Sequence, residues 1–207
     1  MPVENTAVRL VNEALLRLAA DEIASLDEGT QKADICERSY DAVVTKLLTM
    51  RQWRFATRKF ELSRLAQAPI AGWTYAFQIP AEAFNHDSPW AIYDSDAIQA
   101  KPHRRYEIFE DKVYSNDLEC FADVTVEPTV DKFPPAFREL VILALCEVLG
   151  PPITTKPETA AYWGARAFGT PEENYRGGFF RVAAQADARG NPSPAFQTDE
   201  ILAVRLS

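Results

Sequence analysis

The amino-acid sequence predicts an α+β fold, in which helices at both ends of the chain flank a small, mainly antiparallel β-sheet. Apolar residues recur every three to four positions near the N-terminus and again after Pro134-Pro135, as on the buried face of a helix. Between these parts, apolar and polar residues alternate with a period of two, as in a strand with one buried face. With 207 residues, 47% of them hydrophobic and 25% charged, the chain can bury a substantial core.

The N-terminal segment, residues 1–52, predicts a helical hairpin. The first helix is expected from Asn5, a reasonable N-cap, to about Ala20. After a short loop, Thr30 is expected to cap a second helix that runs to about Arg51. Two amphipathic helices joined by a short connection should pack against each other in antiparallel orientation.

The middle of the chain, residues 53–131, predicts the small β-sheet. The clearest strand is 73–79, where one face carries only aromatic and aliphatic side chains, and Pro80 ends it. Residues 106–109 and 112–115 are predicted to form a β-hairpin. A further strand is predicted at 122–126, and its outer face is acidic because it carries Asp123 and Thr125 and continues to Glu127.

Residues 132–189 predict C-terminal helices that pack on the N-terminal hairpin. The first is expected to stop at Gly150-Pro151-Pro152, and a second begins at Pro157. Thr170, as a capping residue before Pro171, indicates that one helix ends and another begins there. Gly177-Gly178 would weaken this last helix by about 1 kcal/mol per glycine. The apolar positions are Phe137, Leu140, Val141, Ala144, Leu145 and Val148 in the first helix, and Tyr175, Phe179, Val182, Ala183 and Ala186 in the last.

Composition and cysteine usage narrow the class of protein. The net charge of -8 makes the chain a poor candidate for wrapping nucleic acid, because phosphate binding needs clustered Lys and Arg. Cys36, Cys120 and Cys146 are far apart and form no CxxC pair, so we expect reduced, buried and inert thiols, as suits synthesis in a host cytoplasm. The N-terminus lacks the features of a signal peptide, and no apolar run reaches membrane-spanning length. We therefore expect no membrane partner.

Groups that could carry catalysis are sparse. The two histidines, His86 and His103, lie in separate loop-like segments, and a zinc site would need more ligands at close spacing. Phosphate-loop, dinucleotide-binding and nucleophile-elbow motifs are absent from the sequence. We expect no enzymatic activity, no metal and no cofactor, and a small enzyme of another kind stays an alternative without nominated residues.

A basic and aromatic segment from Arg51 to Arg64 is the first feature that invites a functional interpretation. Nucleic-acid grooves interleave arginine with aromatic residues in this way, so a nucleic-acid-binding module is one hypothesis. Burial of the aromatic rings with the arginines exposed is the simpler interpretation. Those cations could also meet the acidic face of a second copy, as a ring of identical subunits requires. The candidates for such a subunit contact are Arg51, Arg54, Arg58 and Lys59 on one side and Glu107, Asp123 and Glu127 on the other.

The segment 190–207 is the second such feature. A proline-rich hinge, Gly190-Asn191-Pro192-Ser193-Pro194, precedes a partly apolar tail. Such a tail could dock on a partner as an extended arm, or fold back on the core of its own subunit. The docking residues would be Phe196, Ile201, Leu202, Val204 and Leu206.

An ordered set of short motifs resembles the tail tubular protein A family of tailed bacteriophages, the head-to-tail adaptors also called connectors or gatekeepers. The matching segments are Asn12–Leu18, Ile23–Glu28, Trp53–Thr57, Gly72–Pro80, Pro135–Leu140 and Gly190–Pro192. Together they span nearly the whole chain. The sequence departs from the family pattern at 81–105 and at 164–180, which puts the continuity of the helix near 164–180 in doubt.

The resemblance implies a non-enzymatic virion protein at the head-tail junction of a phage, a prophage or a gene transfer agent. Such subunits form a ring, expected to be dodecameric, below the portal protein. The ring extends the DNA channel and carries the nozzle or the next tail protein. Genomic DNA is expected to pass through without specific binding, and the 190–207 arm is expected to engage the portal.

Overall fold

The computed structural model describes residues 6–67, 69, 72–84, 91–97, 100 and 102–189. Over these residues it has five α-helices and two small antiparallel sheets, which confirms the α+β class. The helices are α1 (Ala7–Arg17), α2 (Gln31–Met50), α3 (Pro135–Thr154), α4 (Glu158–Phe168) and α5 (Gly178–Ala188). The strands are β1 (Thr57–Glu61), β2 (Ser63–Arg64), β3 (Tyr75–Gln78), β4 (Ala91–Tyr93), β5 (Tyr106–Phe109), β6 (Lys112–Ser115) and β7 (Phe121–Thr125). None of the described helices is both long and apolar enough to span a bilayer.

Side-chain caps fix where the two N-terminal helices begin. The Thr30 hydroxyl accepts the backbone N–H of Ala33 at 3.1 Å, so Thr30 caps α2 as predicted. In α1 the capping residue is Thr6, whose hydroxyl accepts the N–H of Arg9 at 3.3 Å. The predicted cap, Asn5, lies outside the described residues. Threonine is also a favoured capping residue, and with Thr6 as the cap α1 begins one position later than a cap at Asn5 would place it.

Helix α3 is the centre of the helical core, because it is apolar on nearly every side. Helices α1, α2, α4 and α5 all pack on it, and α1 contacts α3 far more than it contacts α2. The predicted hairpin is therefore held together mainly through α3. Arg17 of α1 also donates two hydrogen bonds to Glu139 of α3, at 2.6 and 2.8 Å, and these bonds raise the pKa of Arg17.

The end of α3 corrects the sequence prediction. The helix does not stop at Gly150-Pro151-Pro152 but continues through both prolines to Thr154. Gly150 has no Cβ to clash with the ring that follows, and the Thr154 hydroxyl donates to the Gly150 carbonyl at 2.6 Å. Thr155, the residue after the helix, has the left-handed conformation with φ 59° that ends it. Val148, assigned to the buried stripe, is 40% exposed.

The connection between α4 and α5 also differs from the prediction. Thr170 and Glu173 form the capping box that a helix restart needs, but the structure that follows is a single 3₁₀ turn over Pro171–Glu173. Helix α5 begins only at Gly178, so Tyr175 lies outside it, exposed and with φ 55°. A Cβ on Gly178 would meet the Arg166 carbonyl at 2.7 Å, so this glycine allows α5 to start against the end of α4.

The two sheets share one core. Their strand orders are β1-β7-β4 and β2-β3-β6-β5. Between β1 and β2 only Leu62 intervenes, and its N–H donates to the Cys120 carbonyl at 2.8 Å, so the chain passes directly from one sheet into the other. Buried side chains from both sheets form this core: Leu62, Phe77, Ile79, Ile92, Val113, Cys120, Ala122 and Val124.

Strand β7 confirms the predicted burial of Ala122 and Val124 but corrects one position. Thr125, expected on the outer face, is fully buried, and its hydroxyl has no hydrogen-bond partner among the described residues. The chain at 83–84 returns along this end of the strand: the Phe84 N–H donates to the Thr125 carbonyl at 2.8 Å. Thr125 thus lies where a segment distant in the sequence joins the end of β7, and alternation within the strand does not report such a contact.

Trp53 joins the helical core to the β region. Its side chain is fully buried, and its indole N–H donates to the Leu47 carbonyl at 2.7 Å. The ring packs edge-on against Phe137 of α3 and Phe180 of α5, with centroids 5.0 and 5.8 Å apart. The first residues of the β region therefore start from a fixed point in the helical core.

Replacing Trp53 tests this junction. We expect Trp53→Phe to lower the free energy of unfolding by about 1–3 kcal/mol, because it leaves the Leu47 carbonyl unpaired and opens a cavity. Urea unfolding measures the loss. The control is Trp73→Phe, because Trp73 donates to Glu107 at an exposed position, where we expect a loss of under about 1 kcal/mol. Equal losses in both variants would contradict the role assigned to Trp53.

Stability should fall at alkaline pH. Burial raises the pKa of Cys120 and Cys146 from the ordinary thiol value of 9.0 to about 12, and burial raises the pKa of Tyr40 and Tyr93 from 10.0 to about 12. All four groups stay protonated in the folded state while the unfolded chain loses its protons. The stability they contribute is therefore complete below about pH 9 and is lost as the pH rises towards 12.

Urea unfolding between pH 7 and 11 measures this effect. Each buried thiol should add a slope of up to about 1.4 kcal/mol per pH unit once the pH exceeds 9. The double variant Cys120→Ala, Cys146→Ala should show a shallower slope than the parent chain. An unchanged slope would mean that the thiols do not carry the effect.

Candidate interaction surfaces

Arg51, one of the four cations nominated for a subunit contact, is engaged within its own subunit. Its guanidinium donates to the Ala184 carbonyl at 3.0 Å and to the Asp187 carboxylate at 3.5 Å. It also lies over the Trp53 ring, 5.1 Å from the centroid. These contacts tie the end of α2 to α5, so Arg51 holds the fold and has little freedom to meet a second copy.

Asp187 is the residue of this cluster that sequence reasoning missed. Its side chain is only 5% exposed, and both carboxylate oxygens accept the backbone N–H of Arg54 at 3.1 Å. A negative charge in the last turn of a helix opposes the helix dipole. An aspartate at that place in α5 therefore indicates a partner elsewhere in the fold, which here is the start of the 3₁₀ turn at 54–56.

The aromatic rings of the Arg51–Arg64 segment belong to the two cores. Trp53 is fully buried, and Phe55 and Phe60 are partly buried against the helical and β cores respectively. Single-stranded nucleic acid would need exposed rings on which bases stack. The geometry therefore favours the simpler interpretation, burial of the rings with arginines outside.

Arg54 and Arg58 are exposed cations of the segment. Within the part of the chain that the structure describes, neither side chain makes an ion pair. Arg64 differs from both, because its guanidinium lies over the Tyr75 ring at 5.1 Å. Arg54 and Arg58 are thus the two nominated cations that remain available to a partner.

Lys59 and Asp123, nominated for opposite sides of a subunit contact, pair with each other. They face each other across β1 and β7, and the Lys59 ammonium lies 2.7 Å from the Asp123 carboxylate. Asp123 also accepts the Tyr93 hydroxyl at 3.0 Å, while Lys59 lies 5.1 Å from the centre of the Tyr93 ring. Asp123 is 15% exposed and Lys59 is 79% exposed, so the carboxylate is the enclosed member of this group.

The three nominated acids do not share one face. Glu107 lies on the edge strand β5 of the four-stranded sheet and accepts the Trp73 indole N–H at 2.9 Å. Asp123 lies in the middle strand of the three-stranded sheet. Glu127 follows β7 and is exposed beside a cleft of about 710 Å³ that also includes Tyr40. The predicted acidic face is therefore divided among three places.

The four carboxyl groups with a shifted pKa in the described residues share the direction of the shift. The carboxyl groups with shifted pKa values, Glu28, Asp111, Asp131 and Glu172, all shift downward because hydrogen-bond donors, first of all a side chain, stabilise the ionised form. A general acid at neutral pH needs a raised pKa instead. His103 lies 3.3 Å from the Asp117 carboxylate, whereas His86 is outside the described residues. No group of His, Cys, Asp or Glu within the described ranges could hold a metal ion.

The predicted docking arm, with Phe196, Ile201, Leu202, Val204 and Leu206, lies outside the described residues. The cysteines can be assessed: all three are free and buried, as predicted. Comparison of the sequence with protein-family models gave no match. Comparison with curated proteins gave no significant match either.

Asp187 offers a direct test of the contact between α5 and the 3₁₀ turn. Asp187→Ala should lower the free energy of unfolding by about 1–3 kcal/mol, because the Arg54 N–H and the Arg51 guanidinium lose a hydrogen-bond acceptor that is itself buried. Urea unfolding measures the change. Asp187→Asn, which keeps one oxygen acceptor, should lose less. If the alanine variant were as stable as the parent chain, Asp187 would not hold this junction.

Proposed function

We propose that this protein is a structural head-to-tail adaptor subunit of a tailed phage or a phage-like particle, which forms a ring below the portal. The ring would extend the DNA channel and carry the next tail component. The observation that carries the proposal is the ordered set of motifs that resembles tail tubular protein A. These motifs are spread over 12–192, and thus over both the helical core and the β region.

Contacts between the motifs support treating them as one set. Asn12, in the first motif, donates to the Ile23 carbonyl at 2.9 Å and accepts the Ile23 N–H at 3.0 Å, and Ile23 opens the second motif. Within that second motif, Glu28 accepts the Ala24 N–H at 2.8 Å. The third motif begins with Trp53, which contacts Phe137 of the fifth. Residues far apart in the sequence thus depend on one another in the fold.

The charge distribution agrees with a ring around DNA. A net charge of -8 limits binding to phosphate, because each Lys or Arg that faces a phosphate strengthens binding through counterion release. A closed ring needs a heterologous interface, in which two different surfaces of the subunit meet. Arg54 and Arg58 can supply the basic side, and Glu107 or Glu127 the acidic side of the neighbouring copy.

Two other classes have weaker support. A nucleic-acid-binding module would use the Arg51–Arg64 segment, but its aromatic rings are buried or partly buried. An enzyme would bring several polar groups together in one pocket. In the concave site that includes Lys59, Asp123 and Tyr93, these three polar groups already satisfy one another.

Electron microscopy of the protein mixed with its portal tests the proposal. We expect rings of this subunit stacked on portal rings, and loss of stacking when residues 190–207 are deleted. Arg54→Glu with Arg58→Glu should reduce ring formation, whereas the matched change at the exposed Arg104 and Arg105 should not. A free monomer in the presence of portal would count against an adaptor. Duplex DNA binding with a steep salt dependence would instead favour the nucleic-acid module.

A further inference from the structure

An apolar groove of about 690 Å³ lies on the helical core, between the C-terminal half of α2, helix α4 and the turn that follows α4. Its wall on α4 consists of small residues, and larger apolar side chains close its ends. The small residues are Ala160, Ala161, Gly164 and Ala165, and the larger ones are Met50, Phe168 and Tyr175. A groove of this volume accommodates several aliphatic side chains.

A carboxylate without a hydrogen-bond partner borders the groove. Glu147 of α3 lies against Gly164, where an added Cβ would meet its Oε1 at 3.0 Å. The other oxygen, Oε2, is buried and has no hydrogen-bond partner among the described residues, although the Lys46 ammonium is 3.6 Å away. The Glu147 carboxylate thus places a negative charge on the wall of the groove, beside the Lys46 ammonium.

The C-terminal part of α5 lies at the end of α2, and the last residue of α2, Met50, lines the groove. The last turn of α5 is fixed to the end of α2, because Arg51 donates to the Ala184 carbonyl at 3.0 Å and Asp187 accepts the Arg54 N–H. Arg51 directly follows Met50, which lines the groove. Residues 190–195 can span at most about 20 Å, so the apolar tail that follows them begins within reach of the groove.

The tail has the chemistry that the groove requires. Ile201, Leu202 and Val204 are aliphatic side chains of the size that the small residues of α4 leave room for. Asp199-Glu200 precede them and complement the Lys46 ammonium, which stands over the Phe168 ring 4.1 Å from its centre. A tail that belongs to the same chain also has a high effective concentration at the groove.

We propose that residues 196–206 dock into this groove of their own subunit. The groove then shields the apolar side chains of the arm in the free subunit, and the arm becomes available to a partner when it is displaced. Docking of the tail in its own subunit is a separate proposal from the adaptor function and does not depend on it. If the tail docked in the groove but the protein never bound a portal, the adaptor function would be wrong and the docking proposal would stand.

Amide hydrogen exchange of the full-length chain tests the docking. We expect residues 199–206 to exchange at least about tenfold more slowly than an unstructured peptide of the same sequence. Ala161→Glu or Ala165→Glu places a charge on the exposed wall of the groove and should return the tail to the unstructured rate. The matched control is Ala42→Glu, at an exposed position of α2 that does not line the groove, and it should leave the tail protected.

Three results would overturn the proposal. The first is exchange at the unstructured rate in the parent chain. The second is protection that survives both groove variants, since the tail would then dock elsewhere. The third is protection that grows with protein concentration, which would mean that the tail occupies the groove of a second copy. Unchanged amide protection of α2 and α3 in the groove variants and in Ala42→Glu would show that a loss of tail protection reflects the groove and not the fold.

Discussion

Helix α3 has almost no polar face, and this single property organises the helical core. A helix that is apolar all round must be surrounded, so α1 and α2 from the start of the chain and α4 and α5 from its end all pack on it. The β region is then an insertion in the chain between α2 and α3. It must leave the helical core at Trp53 and re-enter it at Phe133, and these two side chains belong to one aromatic cluster with Phe55 and Phe137. Close edge-on packing of these rings fixes the departure and return of the chain together.

Close approach between helices explains why glycine and proline occur where helical propensity disfavours them. A Cβ on Gly150 would clash with the Thr159 side chain of α4, and one on Gly178 would clash with the backbone of residues 165–169. Each glycine weakens its helix locally by about 1 kcal/mol. The tighter packing around α3 and at the start of α5 offsets that local loss, and Gly150 also allows α3 to continue through Pro151.

The fold class could be predicted from the sequence because hydrophobic periodicity is a local signal. The apolar residues that recur with the period of a helix or a strand are mostly those that the two cores bury. The strand around Phe77 was predicted on that basis, whereas Thr30 as a cap and the buried cysteines were predicted from residue type and spacing. The errors arose where a distant segment decides the outcome. Thr125 was assigned to the outer face but is buried, at the end of β7 that the chain near Phe84 joins. Periodicity did not reveal that Arg51 contacts α5. Periodicity also could not reveal that Lys59 and Asp123 face each other, because the register between β1 and β7 depends on pairing across more than sixty residues.

The internal pairing of charged residues limits which surfaces can hold subunits together. An exposed ion pair is worth little, so exchanging the Lys59–Asp123 pair for a similar pair across an interface would yield almost no binding free energy. Separating Asp123 from Lys59 and Tyr93 would moreover leave an enclosed carboxylate without partners. In the proposed ring, a contact between copies would therefore rely on exposed apolar side chains and on cations without an ion-pair partner among the described residues, such as Arg54 and Arg58. The exposed apolar side chains include Phe109 and Leu118 in the β region and Tyr162 and Val182 on helices α4 and α5. Because they lie on both parts of the subunit, two different surfaces are available, and two different surfaces are what a closed ring of identical subunits needs.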